Sequence, residues 1–223
     1  MGATISLMDF YHVINRGVEK RDVFLEEGDF IRFIHDMYVF NDVRSAPNYI
    51  VKERQHVRQR KMLVHVHAYC LMKNHYHLLL SPNTENGISA FMQKLNMGYS
   101  KYFNDKYERS GVLWQGIFKK IHVTRDAHFM YIPYYIHLNP LDFIHPEWRA
   151  GAIKNPGQAL AFLREYRWSS HLDYLGVKNF PSVIYPLQLA DTLGNRTRYE
   201  REIKDIISDS RLAEDSYDIE MPI

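Results

Sequence analysis

The sequence holds a single cysteine, Cys70, in 223 residues, so no disulfide within the chain can brace the fold. No run of about 18 apolar residues occurs, which excludes an ordinary membrane-spanning helix. Nothing reads as a Gly-x-x-x-x-Gly-Lys loop, so no nucleotide phosphates are expected to be cradled here. The opening Met1-Gly2-Ala3-Thr4 is not a basic stretch leading into an apolar one, and no secretory signal is expected. One thiol and no signal together suit a reducing, cytoplasmic setting. Large surplus charge is lacking too: 28 Lys and Arg face 26 Asp and Glu, a formal net charge of +2. A net charge of that size does not point to a polyanion partner. We find no internal repeat and no low-complexity segment.

What is present is a globular composition. Hydrophobic residues make up 46%, enough to bury a core and too many for a disordered chain. The length suits one medium domain, or one domain plus an accessory segment. Charge is unevenly placed. Between Lys52 and Lys61, five of ten residues are Lys or Arg, whereas 213–223 carries four acids and no base. The body without that tail is distinctly basic. Aromatic residues reach 14%, with 16 tyrosines, which can serve a core, base stacking or catalysis.

The elements follow from periodicity and punctuation. Phe10 to Ile14 is rich in aromatic and branched residues, as a strand is, and Asn15-Arg16-Gly17 reads as a turn. Asp29 can cap a helix to about Asn41, with Phe30, Phe33, Ile34 and Met37 on one stripe. Ser45 to Lys61 is a polar, basic excursion. Leu63–Met72 and His75–Leu80 form a hairpin around Lys73-Asn74, stopped by Ser81-Pro82. A helix from Asn86 or Gly87 to about Lys106 carries Ile88, Phe91, Met92, Leu95, Tyr99, Tyr102 and Phe103 at helical spacing. Extended pieces in 111–124 end in Phe118–Val123. Asp126 then caps a helix that Asn139-Pro140 ends. Short helical stretches follow, one starting at Trp168-Ser169-Ser170 and the last over Thr197–Ser208.

Strand, helix, strand, strand, helix, strand, helix is the order of an α+β ferredoxin-like plait, with an antiparallel sheet and helices on one face. We expect this plait over 1–150. A mostly helical extension over 151–223 should pack on it and end in a flexible acidic tail, 213–223.

Two constellations could do chemistry. His75-Tyr76-His77 places two imidazoles on one strand face, where they can share a metal ion. The spacing alone proves little, because His65-Val66-His67 repeats it and reads more simply as packing within the sheet. The His75 pair opens its strand beside a turn, where a cleft is expected, and Leu78-Leu79-Leu80 anchors it. Tyr135 and Asn139 are four apart and share a helix face. A phenol can attack a phosphodiester, and an amide oxygen can be a third metal ligand. On periodicity alone the plainer reading is an aromatic stripe, Tyr131, Tyr134 and Tyr135, packed on the sheet, with Asn139 as a cap. Pro133 should kink this helix and leaves Tyr134 as a second candidate.

The segment Ala68-Tyr69-Cys70-Leu71-Met72-Lys73-Asn74-His75-Tyr76-His77-Leu78-Leu79 resembles the core of the HUH single-strand transposases, especially the REP-associated tyrosine transposases. So does Tyr135-Ile136-His137-Leu138-Asn139-Pro140. Tyr11-His12-Val13-Ile14-Asn15-Arg16-Gly17, Ser110-Gly111-Val112-Leu113-Trp114-Gln115-Gly116 and Trp168-Ser169-Ser170 match in the same order. Lys73 stands where many relatives have proline. The resemblance implies a plait fold, a metal, Mg²⁺ or Mn²⁺, on His75 and His77 with Asn139 as amide ligand, and Tyr135 as nucleophile. It implies nicking and joining of single-stranded or hairpin DNA, marked by small imperfect palindromes, through a 5′-phosphotyrosine. It allows a homodimer, as in the insertion-sequence branch, or a monomer. Arg16, Lys20, Arg21, Arg54, Arg58, Arg60, Lys61, Lys119 and Lys120 are the residues we expect to meet phosphates. Each could equally be a solvated charge. Trp114 reads as core rather than a stacking platform. Two other functions fit the same residues: a hairpin-binding protein that does not cut, and a hydrolase that activates water.

Overall fold

The computed structural model describes residues 9–44 and 60–209. Arg54, Arg58 and the acidic tail lie outside the described residues. Four strands, β1 (Phe10–Arg16), β2 (Val64–Met72), β3 (His75–Pro82) and β4 (Lys119–Val123), form one sheet in the order β2-β3-β1-β4. Every neighbouring pair is antiparallel. With α1 (Glu27–Val39) between β1 and β2 and α2 (Gly87–Lys106) between β3 and β4, this is the ferredoxin-like plait. α3 (Asp126–Leu138) follows, then 3-10 turns at Asn139–Phe143 and Pro146–Ala150. The C-terminal helices are α4 (Pro156–Glu165), α5 (His171–Tyr174), α6 (Leu187–Leu193) and α7 (Arg196–Ser208). Among the described residues no helix is long and apolar enough to cross a membrane.

Local chemistry explains the element ends. Asp29 does not start α1 but sits in its first turn and caps backward. Its carboxylate accepts from the Leu25 and Glu26 amides at 2.8 and 3.2 Å, and the Glu26 side chain closes the capping box. α2 needs glycine at its first residue: a Cβ on Gly87 would lie 2.1 Å from the Leu63 carbonyl oxygen. Asn15-Arg16 is not a turn. β1 runs through Arg16, because Asn15 and Arg16 pair with Tyr76 and His75 of β3, and Gly17 beyond it bridges to Trp114.

The sheet is buried on both faces. Val13, Tyr69, Leu71, Tyr76, Leu78 and Leu80 pack against α1 and α2. Trp114 belongs to that core, ringed by Phe33, Tyr76 and Tyr99. On the opposite face Ala68, Cys70, Met72 and Leu79 pack against α3 and residues reaching from Leu141 to Ile207. The two crossover helices thus share one face, and α3 with the C-terminal residues covers the other. Truncating a residue such as Leu79, fully buried there, would cost about 2–5 kcal/mol.

The outer side of β2 is also occupied. The Leu71 amide donates to Trp168 O at 2.9 Å, the Ser170 amide to Tyr69 O at 3.0 Å, and the Tyr185 amide to Val66 O at 2.7 Å. Trp168-Ser169-Ser170 therefore runs first as an extended bridge beside β2, and α5 starts only at His171.

Candidate active site

Strict alternation along β3 puts His75 and His77 on the face that α3 covers, the face of Leu79. Their ring centroids are 5.0 Å apart. Register brings β1 residues beside them: Arg16 opposes His75 and Ile14 opposes His77. His12, two residues before Ile14, lies on the same face, and its Nε2 is 2.9 Å from His77 Nδ1. His65 and His67 follow another course because the β2–β3 register shifts between Val66 and Ala68. His67 bonds Ser81 Oγ at 2.8 Å and the Tyr185 carbonyl at 3.2 Å, while His65 lies on the Tyr185 ring.

α3 keeps its helical course through Pro133. The two tyrosines after it diverge. Tyr135 stands edge-on to His77 and His12, with centroids 5.7 and 5.9 Å away. Tyr134 points to α7, where its hydroxyl donates to Glu202 and its ring stacks on Tyr199. One turn beyond Tyr135, the Asn139 amide donates to the Tyr135 carbonyl at 2.7 Å. The structure therefore gathers His75, His77, Tyr135 and Asn139 at one place. They are 7%, 0%, 4% and 0% exposed, so a substrate reaches them only when a covering group moves.

Arg149 is part of this cluster and had no signal in the sequence. The Pro146–Ala150 turn folds back so that its guanidinium carbon lies 5.2 Å from the Tyr135 ring centroid. One Nη2 donates to Asp142 at 2.6 Å and to Asn139 Oδ1 at 3.3 Å. Asp142 also accepts from Trp148 Nε1 at 2.7 Å, which fixes the turn. Burial pulls Arg149 downward, but Tyr135 and Asp142 outweigh it and leave the guanidinium above its ordinary value.

The imidazoles are electrically suited to a cation. Burial, then Arg16 and Arg149, push His75 down to about 3. Burial and four positively charging neighbours, His75 first, drive His77 well below the ordinary histidine value. Both are neutral at physiological pH, the form that ligates metals. Nε2 of each is buried with no hydrogen-bond partner, while each Nδ1 is engaged. Such orphaned acceptors are what a metal would satisfy. Among the described residues no three His, Cys, Asp or Glu side chains cluster as a metal site. Asn139 Oδ1, which accepts from Arg149, is an amide oxygen of the same cluster.

The basic candidates separate. Arg16 lies on the site face, as does Lys119, which opposes Ile14 in the row of His77. Lys20 and Arg21 flank the same end of the sheet, where the Asn74 amide donates to Lys20 O at 3.1 Å. Lys120 is on the other face, its ammonium 5.0 Å from the Tyr11 ring centroid. Arg60 and Lys61 precede β2 at its far end, about 20 Å along the strand from Cys70 at ~3.3 Å per residue; Cys70 is the partner of His77. Arg60 there covers Tyr38 at 3.6 Å. His12 was the other member missed. Its signal was alternation with Arg16 on β1, legible only once β1 is known to pair with β3.

Residues 34–139 match the family described as IS200-like transposase. The matched segment, just under half of the chain, runs from within α1 to Asn139 and contains His75, His77, Tyr135 and Asn139. Among solved structures, a REP-associated tyrosine transposase bound to a REP hairpin is similar at 10% identity and a TM-score of 0.48. That similarity covers 83% of this chain and 92% of the other. No curated protein matches the chain in sequence.

Proposed function

We propose that this chain nicks and rejoins single-stranded or hairpin DNA, with Tyr135 as nucleophile and a divalent metal on His75, His77 and the Asn139 amide oxygen. One observation carries the reading. Two buried imidazoles each present an unpartnered Nε2 on the sheet face that Tyr135 covers. The IS200-like domain supports DNA as the substrate class and strand transfer as the reaction class.

In the reaction, Tyr135 Oη forms a bond to the scissile phosphorus and the bond from phosphorus to the 3′ oxygen breaks. The phenol gives up its proton and the departing oxygen takes one up. The products are a 5′-phosphotyrosine and a 3′-hydroxyl. The covalent link conserves the energy of the phosphodiester, so a second 3′-hydroxyl can reverse the step and join a new end. A free phenol ionises near pH 10, so the anion needs support. Arg149, over the Tyr135 ring, is placed to stabilise both a phenolate and charge on the phosphate oxygens. A bound divalent metal would polarise a non-bridging phosphate oxygen. Two imidazole nitrogens and one amide oxygen suit Mn²⁺ well and Mg²⁺ acceptably. Asn139 would turn its Oδ1 from Arg149 to take part. Arg16 and Lys119 on the site face, with Lys20 and Arg21 at its end, would hold the strand by its phosphates. We assign the activity to the plait, residues 1–150, with 151–223 as its supporting extension.

The test is covalent trapping. The protein is mixed with 5′- and 3′-labelled hairpin DNA taken from beside its own gene, with Mn²⁺ and then with EDTA. A metal-dependent adduct that Tyr135→Phe abolishes supports enzyme class and nucleophile together. Cleavage without an adduct in Tyr135→Phe would identify a water-activating hydrolase instead. The closed site favours one second reading, a hairpin-binding protein that does not cut. Hairpin binding with no adduct on two different hairpins would establish it.

A further inference from the structure

We propose that His12 and Asn74 are positioning residues for a metal at His75 and His77. Each accepts the Nδ1 proton of one imidazole and so leaves its Nε2 lone pair bare and aimed into the site. The inference rests on the reading of that site given above.

A neutral imidazole carries one N–H, and the partner of one nitrogen decides which. His75 Nδ1 is 2.6 Å from Asn74 Oδ1, an atom without hydrogen, so Nδ1 is the protonated nitrogen. The Asn74 amide cannot be reversed without loss, because its Nδ2 donates to the Lys20 carbonyl at 3.1 Å. His75 Nε2 is left unprotonated. His77 Nδ1 faces His12 Nε2 at 2.9 Å, and the rings lie within 18° of coplanar, so an in-plane N–H meets an in-plane lone pair. If His77 donates, its Nε2 is bare. If His12 donates, His77 carries a proton on Nε2, a buried N–H with nothing to receive it. The first arrangement is the only one that a cation satisfies. His12 cannot drift from this role: it is buried in β1, which pairs on both sides. Outer partners of this kind orient metal-binding histidines and raise their basicity.

Mn²⁺ binding to the full chain, followed by the loss of the free-ion electron paramagnetic resonance signal, tests this without DNA or turnover. Wild type should bind more tightly than His75→Ala/His77→Ala. His12→Phe and Asn74→Ala should each weaken binding about 10- to 100-fold. His12→Gln and Asn74→Asp, which restore an acceptor oxygen, should recover most of it. Nitrogen-15 resonances of the metal-free protein should show Nδ1–H in both His75 and His77. Wild-type affinity in folded His12→Phe and Asn74→Ala, or an Nε2–H on His77, would overturn the positioning role while the metal site stands. Equal binding by wild type and the double histidine variant would overturn the site itself and this inference with it. Should His12→Phe not fold, the Asn74 pair and the resonances decide.

Discussion

Lowering the pH from 7.5 to 5.5 should destabilise the metal-free fold steeply, and the cause is buried neutral histidine. Burial pushes His12, His67 and His171 each down to about 3 and His137 well below its ordinary value. Their folded values lie below the unfolded value of about 6.5. In the window between, the unfolded chain binds more protons, so stability rises with pH and is lost as pH falls through about 6.5. At pH 5.5 an unfolded imidazole gains about 1.4 kcal/mol from protonation that its buried counterpart does not. Four such groups remove about 5–6 kcal/mol, comparable with the whole stability of many domains. His75 and His77 add to this with the same sign. Carboxylates ordinarily titrate below the window. Thermal melts followed by circular dichroism, at constant ionic strength with EDTA, should show Tm falling by about 10–20 °C. His67→Gln should lower stability overall yet flatten the pH slope by about a sixth. A melting temperature that moves by less than about 3 °C would refute the picture of neutral buried imidazoles.

Three further outcomes follow from the geometry. Arg149→Ala should slow adduct formation about 10²–10³-fold in single turnover while hairpin affinity changes little; an unchanged rate would remove Arg149 from the chemistry. Tyr134→Phe should keep the adduct but lose about 1.5–3 kcal/mol in urea unfolding, because its hydroxyl donates to the Glu202 carboxylate. Gly87→Ala should cost about 1–3 kcal/mol, since its Cβ would meet the Leu63 carbonyl oxygen at 2.1 Å; a urea midpoint equal to wild type would show that contact to be slack.

The plait was legible because its signals are local. The hairpin around Lys73-Asn74, the stripe of α2 and the α7 span each depend on period and punctuation within a few residues. β1 was read two residues short because the strand partners of Asn15 and Arg16 are Tyr76 and His75, which lie on β3, far along the chain. Periodicity could not separate Tyr135 from Tyr134, and only the motif resemblance favoured Tyr135, since neighbouring helix positions differ in what the fold places opposite each. Glu202 and His77 now make that difference. Arg60 and Lys61 were expected, like Arg16, to meet phosphates. Strand direction places them at opposite ends of the sheet, a property of pairing rather than of composition.

The bridge of Trp168-Ser169-Ser170 beside β2 also limits how this molecule can meet others. A sheet recruits another chain by strand addition, using amides and carbonyls left unmatched along its border. On the β2 border those of Val66, Tyr69 and Leu71 are already matched by the C-terminal residues. Growth of the sheet into a second copy, or capture of an extended peptide, is left with β4, which is five residues long and begins with two adjacent lysines. A parallel, in-register pairing of two such borders would set lysine against lysine, so among the described residues the sheet is matched on one side and bordered by charge at the start of the other.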